Sequence, residues 1–436
     1  MSPRGITILA AILLGGGVAQ ARPRVQPRRP DPVPRPGPVP RPVSALTRIQ
    51  PIEDPGGKGL RHVLEQLSCL KQGKRPRLVR IAHYGDSIVA GDRVSSGARQ
   101  VLQAAFGDAG HGFFLLRAPS RWYHRAGVKV WRSKFWRSAS MLHHFIKSGR
   151  YGYGGVMNWT YATGAWVRLT PQKEGKVGGR FSRLQVYFER RPRGGWLRLR
   201  QGRLELGRID ISGKTRRAAE GAFHFIETAK PVTLEVGKGG VRIFGVALER
   251  SGPGVVWDGL GLVSARYTTL ATLPAGHWRR ELLRRGAALV VIQYGANISD
   301  KRTLNERFYR RAVARILRRL QPLRSKVSCL VVGPVDRGFS WRHKKPSRPI
   351  VGRIIAAQRE AALAHGCAFW DSRAAQGGEG AARRWFRARP PLIWNDLTHL
   401  TPEGATLIGK LLGEALLRSH RAHVRLHPIG ACSKAR

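Results

Sequence analysis

A nucleophilic serine needs a turn that exposes its hydroxyl, a base to take its proton, and donors for the oxyanion that forms on attack. Three distant stretches of this 436-residue sequence offer such groups. In IAHYGDSIVAGD, residues 81–92, an apolar run stops at Gly85-Asp86-Ser87 and a helix-like segment follows almost at once. Strand, Gly-x-Ser, helix is one way to hold a serine hydroxyl at the lip of a sheet. In WNDLTHLTPEG, residues 394–404, Asp396 and His399 stand three apart in a loop that runs into a helix. One short turn can therefore carry both the base and the carboxylate that orients it. In YGANISD, residues 294–300, Asn297 follows an apolar strand-like run. That is the sheet edge where open α/β folds hold ligands, and a side-chain amide there suits an oxyanion. Alone, a Gly-Asp-Ser is mostly a turn and an Asp-x-x-His mostly a capped helix start. Their order along the chain is what gives them weight.

These residues need a frame. LVRIAHY (78–84), AALVVIQYG (287–295), KVSCLVVGPVD (326–336) and the short CAFWD (367–371) read as buried parallel strands. Between them RVSSGARQVLQAAF (93–106) places Val94, Ala98, Val101, Leu102 and Ala105 on one helical face. LNERFYRRAVARILRRL (304–320) places Phe308, Ala312, Val313, Ile316, Leu317 and Leu320 on another, and RIIAAQREAALAHG (353–366) ends at glycine. TPEGATLIGKLLGEALL (401–417) closes the pattern, with Thr401 as cap and Pro402 in the first turn. Strands alternating with helices predict a parallel α/β sheet.

From about 120 to 250 the period changes. Leu184, Val186 and Phe188 alternate, as do Val232, Leu234 and Val236, while Leu204, Leu206, Ile209 and Ile211 line LELGRIDIS. Short strands between glycine-rich breaks predict a β-sandwich inserted into the α/β chain. It is rich in tryptophan, at 122, 131, 136, 159, 166 and 196. Any single indole is expected in the core, because indole is usually buried. Sugar-binding modules instead stack rings on exposed aromatics.

The order Gly-Asp-Ser, Gly-x-Asn, Asp-x-x-His resembles the SGNH, or GDSL-type, hydrolases. The further stretches LQAAFGDAGHGF, GPGVVWDGLGL, CAFWDSRAAQGGEGAARRW and NDLTHLTPEG resemble one branch, the exported peptidoglycan O-acetylesterase-like proteins with an inserted carbohydrate-binding-module-like β-sandwich. The similarity runs from about residue 75 to 418. It implies a three-layer SGNH fold with a parallel sheet plus a jelly-roll-like insertion. It implies the segments 45–119 and 253–425 for the hydrolase and 120–252 for the sandwich. It implies a catalytic Ser87, Asp396 and His399, an oxyanion hole from Ser87, Ser264 and Asn297, and no cofactor or metal. The activity implied is removal of O-acetyl groups from a cell-envelope glycan, peptidoglycan foremost. An O-acetyltransferase with the same triad and a non-catalytic envelope glycan-binding protein are the alternatives. The chain departs from its relatives at several points. Ser264 stands where they carry glycine, GANI where they often read GTNE, Ile88-Val89 where many have His-Thr, and Gln376 where methionine is common.

The ends and the charge bound the setting. Residues 1–21 have a basic Arg4, an apolar run from Ile6 to Val18 and Ala19-Gln20-Ala21, the pattern of a cleaved secretory signal. Residues 22–44 are a Pro/Arg-rich, semi-rigid linker, and 426–436 form a basic tail. No later run of eighteen apolar residues suggests a span in the mature chain. The expected location is therefore periplasmic or envelope-associated. A net charge of +52 suits nucleic acid at first sight, but no nucleic-acid motif accompanies it. Spread along the chain, it fits an anionic envelope polymer as partner, or composition without function. Of the four cysteines, Cys329 sits in an apolar strand and is expected to be a buried free thiol. The adjacent His143 and His144 point apart on any regular element and predict no metal site.

Overall fold

The computed structural model describes residues 46–143, 146–174, 177–299, 303–339, 343, 345–427 and 432. The expected signal segment, the Pro/Arg-rich linker, His144 and most of the basic tail lie outside them. Five strands form the central sheet: β1 (Leu78–Gly85), β2 (Gly254–Gly261), β3 (Ala287–Gln293), β4 (Ser328–Val332) and β5 (Ala368–Trp370). All pairs are parallel and the order is β2-β1-β3-β4-β5. This is a doubly wound order whose direction reverses between β1 and β3. Ligands in such sheets sit at the carboxyl ends of the strands flanking that point.

Ten helices accompany the sheet among the described residues: α1 (Arg61–Lys71), α2 (Ser87–Ala90), α3 (Arg93–Phe106), α4 (Tyr267–Leu270), α5 (Ala275–Arg285), α6 (Glu306–Leu320), α7 (Pro349–Ala364), α8 (Ser372–Ala375), α9 (Ala381–Phe386) and α10 (Pro402–Leu426). The alternation of side chains along a strand divides the core in two. On β1 and β3, Val79, Ile81, Leu289 and Val291 pack with α1, α3 and α10. Ala82, Tyr84, Val290 and Ile292 face the opposite way, toward α5, α6 and α7. The spacing on α6 is shifted from the sequence expectation. Tyr309 is buried, and Phe308 is 64% exposed.

The chain between β1 and β2 builds a small two-stranded antiparallel sheet, Lys173–Glu174 against Val177–Gly178, and two large ones. One runs Leu204–Asp210, Trp196–Gln201, Val232–Val236, Trp166–Pro171, Val128–Arg132. The other runs Arg217–Thr228, Phe181–Arg190, Val241–Glu249, Val156–Thr160, Arg137–Ser140, with Gly112–Phe114 added against Val241–Glu249. Leu184, Val186 and Phe188 point into the sandwich core, as their alternation predicts. Tyr187, between them, points out and is buried with the α/β residues Tyr84 and Trp278. This strand is therefore apolar on both faces, and the sandwich shares a core with the parallel sheet. A buried ionic knot crosses the same seam. Arg285 of α5 donates to both Asp258 oxygens at 2.8 and 3.0 Å and to Glu249 of the sandwich, and Arg80 of β1 binds Glu249 with two bonds of 2.8 Å.

Two further expectations are corrected. Cys329 is not a free thiol but is bonded to Cys367, with Cα atoms 4.9 Å apart. Leu330 and Ala368 are paired on the parallel strands β4 and β5, so the residues just before them lie side by side. Cys69 of α1 is bonded to Cys432 beyond α10, with Cα atoms 4.7 Å apart. The tryptophans also divide. Trp136 is buried, but Trp122, Trp131 and Trp166 are 67%, 62% and 38% exposed.

Candidate active site

Ser87 opens α2 directly after β1. Asp86 caps this short helix, accepting from the Ile88 N–H at 3.1 Å. The turn is so tight that a Cβ on Gly85 would lie 2.3 Å from a Val89 methyl. A Cβ on Gly261 would lie 2.2 Å from the Ala90 nitrogen, so the end of β2 also presses against α2. Glycine at both positions lets the serine turn close onto the sheet.

His399 stands across from Ser87, its Nε2 3.5 Å from Oγ. Its Nδ1 lies 2.6 Å from Asp396 Oδ2. The other Asp396 oxygen accepts from the backbone N–H groups of Thr398 and His399, each at 2.9 Å. The Asp-x-x-His spacing thus makes a turn folded around its own carboxylate. Burial pushes the Asp396 carboxyl up, but the His399 ring and these N–H groups outweigh it and hold the group below its usual range. The hydrogen bond that His399 Nδ1 donates to Asp396 raises the His399 pKa above 6.5, against partial burial. The side chains of His399 and Asp396 remain 51% and 45% exposed, so the site is open to water.

Asn297 lies on the 3-10 turn Ala296–Ile298 just after β3. Its Nδ2 donates to the Ala265 carbonyl at 3.1 Å, which fixes the amide and leaves its second hydrogen for another acceptor. Ser264, next to Ala265, has φ +68°, the left-handed region that glycine adopts freely. Its N–H donates to no acceptor among the described residues. Serine pays strain for this shape, roughly 1–2 kcal/mol, less the extra unfolded-state freedom glycine would add. Ser264→Gly is therefore expected to raise stability by roughly 0.5 kcal/mol and to leave esterase activity within about twofold, since the donor is backbone. Denaturant midpoints and initial rates check this, and a tenfold loss of rate would assign a role to the hydroxyl.

One further residue escaped the sequence reading. Buried Arg337, beyond β4, donates to the Ala296 carbonyl, to Ser299 Oγ and, at 3.0 and 3.2 Å, to Thr398 Oγ1. It ties the Asn297 turn to the Asp396–His399 turn and faces Asp86. Burial outweighs the N–H groups of Ile88 and Ala296 and the charge of Arg337, and leaves the Asp86 carboxyl raised to about 6. An ammonium cannot reproduce this planar fork. Arg337→Lys is expected to cost about 10- to 100-fold in kcat with KM changed less than threefold, the mark of lost positioning. A loss confined to KM would exclude that role. Among the described residues no group of three His, Cys, Asp or Glu side chains could hold a metal ion.

The GDSL-like Lipase/Acylhydrolase family model matches residues 229–407, a span that holds Asn297, Asp396 and His399 and begins after Ser87. The fold is that of a GDSL-type, or SGNH, hydrolase with an added antiparallel sandwich. More particularly, it is similar to a solved structure described as a peptidoglycan O-acetylesterase in action, at 19% identity and a TM-score of 0.71, covering 85% of this chain and 99% of that one. A family two carbohydrate esterase from Cellvibrio japonicus aligns at 9% identity over 67% of this chain and 98% of its own, with a TM-score of 0.28 that is too low to bear on the fold. No curated protein matches the chain.

Proposed function

We propose that this protein is an exported serine esterase that removes O-acetyl groups from a cell-envelope glycan, peptidoglycan foremost. The observation that carries the reading is the aligned series Ser87 Oγ, His399 Nε2, His399 Nδ1, Asp396 Oδ2, with separations of 3.5 and 2.6 Å, at the switch point of the sheet. Ser87 attacks the acetyl carbonyl while His399 Nε2 takes its proton. The N–H groups of Ser87 and Ser264 and the Asn297 amide receive the oxyanion. The imidazolium returns the proton to the departing sugar oxygen. Water, deprotonated by the same ring, then releases acetate from the acyl-serine. The 3.5 Å contact is long, as such contacts often are before substrate binds. The open face of His399 admits water, which favours hydrolysis over transfer to a sugar hydroxyl. The likeness to the O-acetylesterase supports the substrate class, and two disulfides suit an oxidising compartment outside the cytosol. Among the described residues no helix is long and apolar enough to cross a membrane.

The test is acetate release from O-acetylated peptidoglycan by the chain without residues 1–21, beside Ser87→Ala. Release that vanishes in the variant supports the reading. A folded protein that releases none sinks it, and an acetyl-donor assay would then examine the transferase. The base must be neutral to act, and its folded pKa is raised. The acid limb of kcat/KM is therefore expected above 6.5 and should move down in Asp396→Asn, which loses the cause of the shift. A pH profile on 4-nitrophenyl acetate checks this, and an unmoved limb would exclude His399 as the titrating group.

A further inference from the structure

A cleft of about 1090 Å³ opens between the hydrolase and the sandwich, and neither Ser87 nor His399 lines it. Its hydrolase wall is α3 and α10, represented by Arg93, Gln100 and Thr406. These helices follow closely on Ser87 and His399 respectively, so the cleft lies beside the triad along both chain segments. The His124 N–H, donating to the last residue of α2 at 2.9 Å, pins the connecting loop there. The opposite wall is the edge strand Val128–Arg132, on which Lys129 and Trp131 share a face.

The lining has a single sign. Over the whole chain, 26 acidic residues accompany 78 lysines and arginines, one to three. Among the described residues the cleft is lined by no carboxylate. Among the described residues, only Arg125 of its cations is paired, with buried Asp92. Arg93, Arg117, Arg121, Lys129, Arg132 and Lys173 form no ion pair among the described residues. Arg132 is pushed below its usual range by burial and then by Arg117, so these two positive charges act against each other. Cations gathered in a concave site without counter-charge concentrate an anion there. Trp131 lies among them and is 62% exposed, a large apolar residue left in water. An aromatic face takes the C–H face of a sugar ring, which a phosphate chain does not offer.

We propose that this cleft binds the carboxylate-bearing stretch of an acidic glycan, one sugar ring stacking on Trp131 while carboxylates meet Arg117, Lys129 and Arg132. The inference rests on the esterase reading for the glycan being an envelope polymer. It adds that the polymer is held by its acidic groups beside the triad, so that long substrates are processed better than short ones.

The test separates binding from chemistry. The Ser87→Ala chain is titrated with a soluble de-O-acetylated peptidoglycan fragment, with the same fragment after its carboxylates are amidated, and with inorganic polyphosphate, at low and high salt. The acidic fragment is expected to bind with an affinity that falls about tenfold in Trp131→Ala and at least as much in the Lys129→Ala/Arg132→Ala pair, and that weakens with salt. Amidation is expected to cost about tenfold. In the Ser87 background, the same exposed-residue variants should keep their rate on 4-nitrophenyl acetate within twofold and raise KM on O-acetylated peptidoglycan. Equal binding of the amidated fragment, or binding indifferent to all the variants, overturns the proposal. Polyphosphate binding that is tighter and insensitive to Trp131→Ala overturns it in favour of a phosphate polymer. Absence of acetate release with cleft-dependent binding intact would fell the esterase reading and leave the cleft standing.

Discussion

Alanine at Ser87 is expected to lower the turnover of ester hydrolysis by on the order of 10⁶-fold, alanine at His399 to do the same, and the double variant to lose no more. The reason is that neither group acts alone. The Ser87 hydroxyl is a poor nucleophile until Nε2, 3.5 Å away, accepts its proton, and the imidazole has nothing to activate once Oγ is gone. What survives is the contribution of the Asn297 amide, the Ser87 and Ser264 N–H groups and binding, about 10³- to 10⁴-fold over water. Single and double variants assayed on 4-nitrophenyl acetate, with protein purified away from any contaminating esterase, decide the matter. Losses that multiply in the double variant would mean that the two residues serve separate steps, and the proposed mechanism would fall.

Arg285→Met is expected to destabilise the fold by about 3–5 kcal/mol, the cost of stranding buried charge. Arg285 is fully buried and is the group shared by Asp258 and Glu249. Asp258 also accepts from Tyr153 Oη at 3.0 Å and the Phe113 N–H at 2.7 Å, and Glu249 retains Arg80, so neither carboxylate is wholly abandoned. Burial pushes Glu249 up, but the Arg285 and Arg80 charges overcome it and hold the group well below 4.5. A depressed carboxylate contributes stability that is present above its unfolded pKa and lost as pH falls through its folded one. Removing Arg285 takes away much of that depression. The gap between parent and variant should therefore narrow as pH falls below 4.5. Denaturant midpoints across pH test both points. A loss under about 1 kcal/mol at neutral pH, or a gap that widens in acid, would show that the knot does not hold the two parts together.

The parallel sheet was legible because buried strands must be apolar on both faces, and LVRIAHY and AALVVIQ are. The sandwich was legible through its period of two, and the same reasoning explains what was missed. Alternation marks Leu184, Val186 and Phe188 as one face, but it gives no sign that Tyr187 on the other is buried in the core that holds Trp278. Helix ends were read where a local signal exists and misplaced where none does. α10 continues to Leu426 because nothing after Leu417 stops it, and α7 starts back at Pro349, which suits a first turn. Ser87, Asn297, Asp396 and His399 stand out as candidates because each sits in a short local pattern. Arg337 could not, since its partners Ala296, Ser299 and Thr398 come from two other turns. The Cys329–Cys367 bond depends on strand neighbours, which the sequence leaves open.

The bond between Cys69 and Cys432 has a consequence for the molecule as a covalent object. It joins α1 to the segment after α10, and so closes nearly the whole folded chain into a ring. A protease that nicks one surface loop inside that ring produces no fragment, only a linearised loop whose two pieces travel together until a reductant is added. A first cut need not release one half of the fold from the other. For the same reason new ends are tolerable in principle: with Cys69 and Cys432 clasped, a chain opened at an exposed turn inside the ring remains one covalent piece.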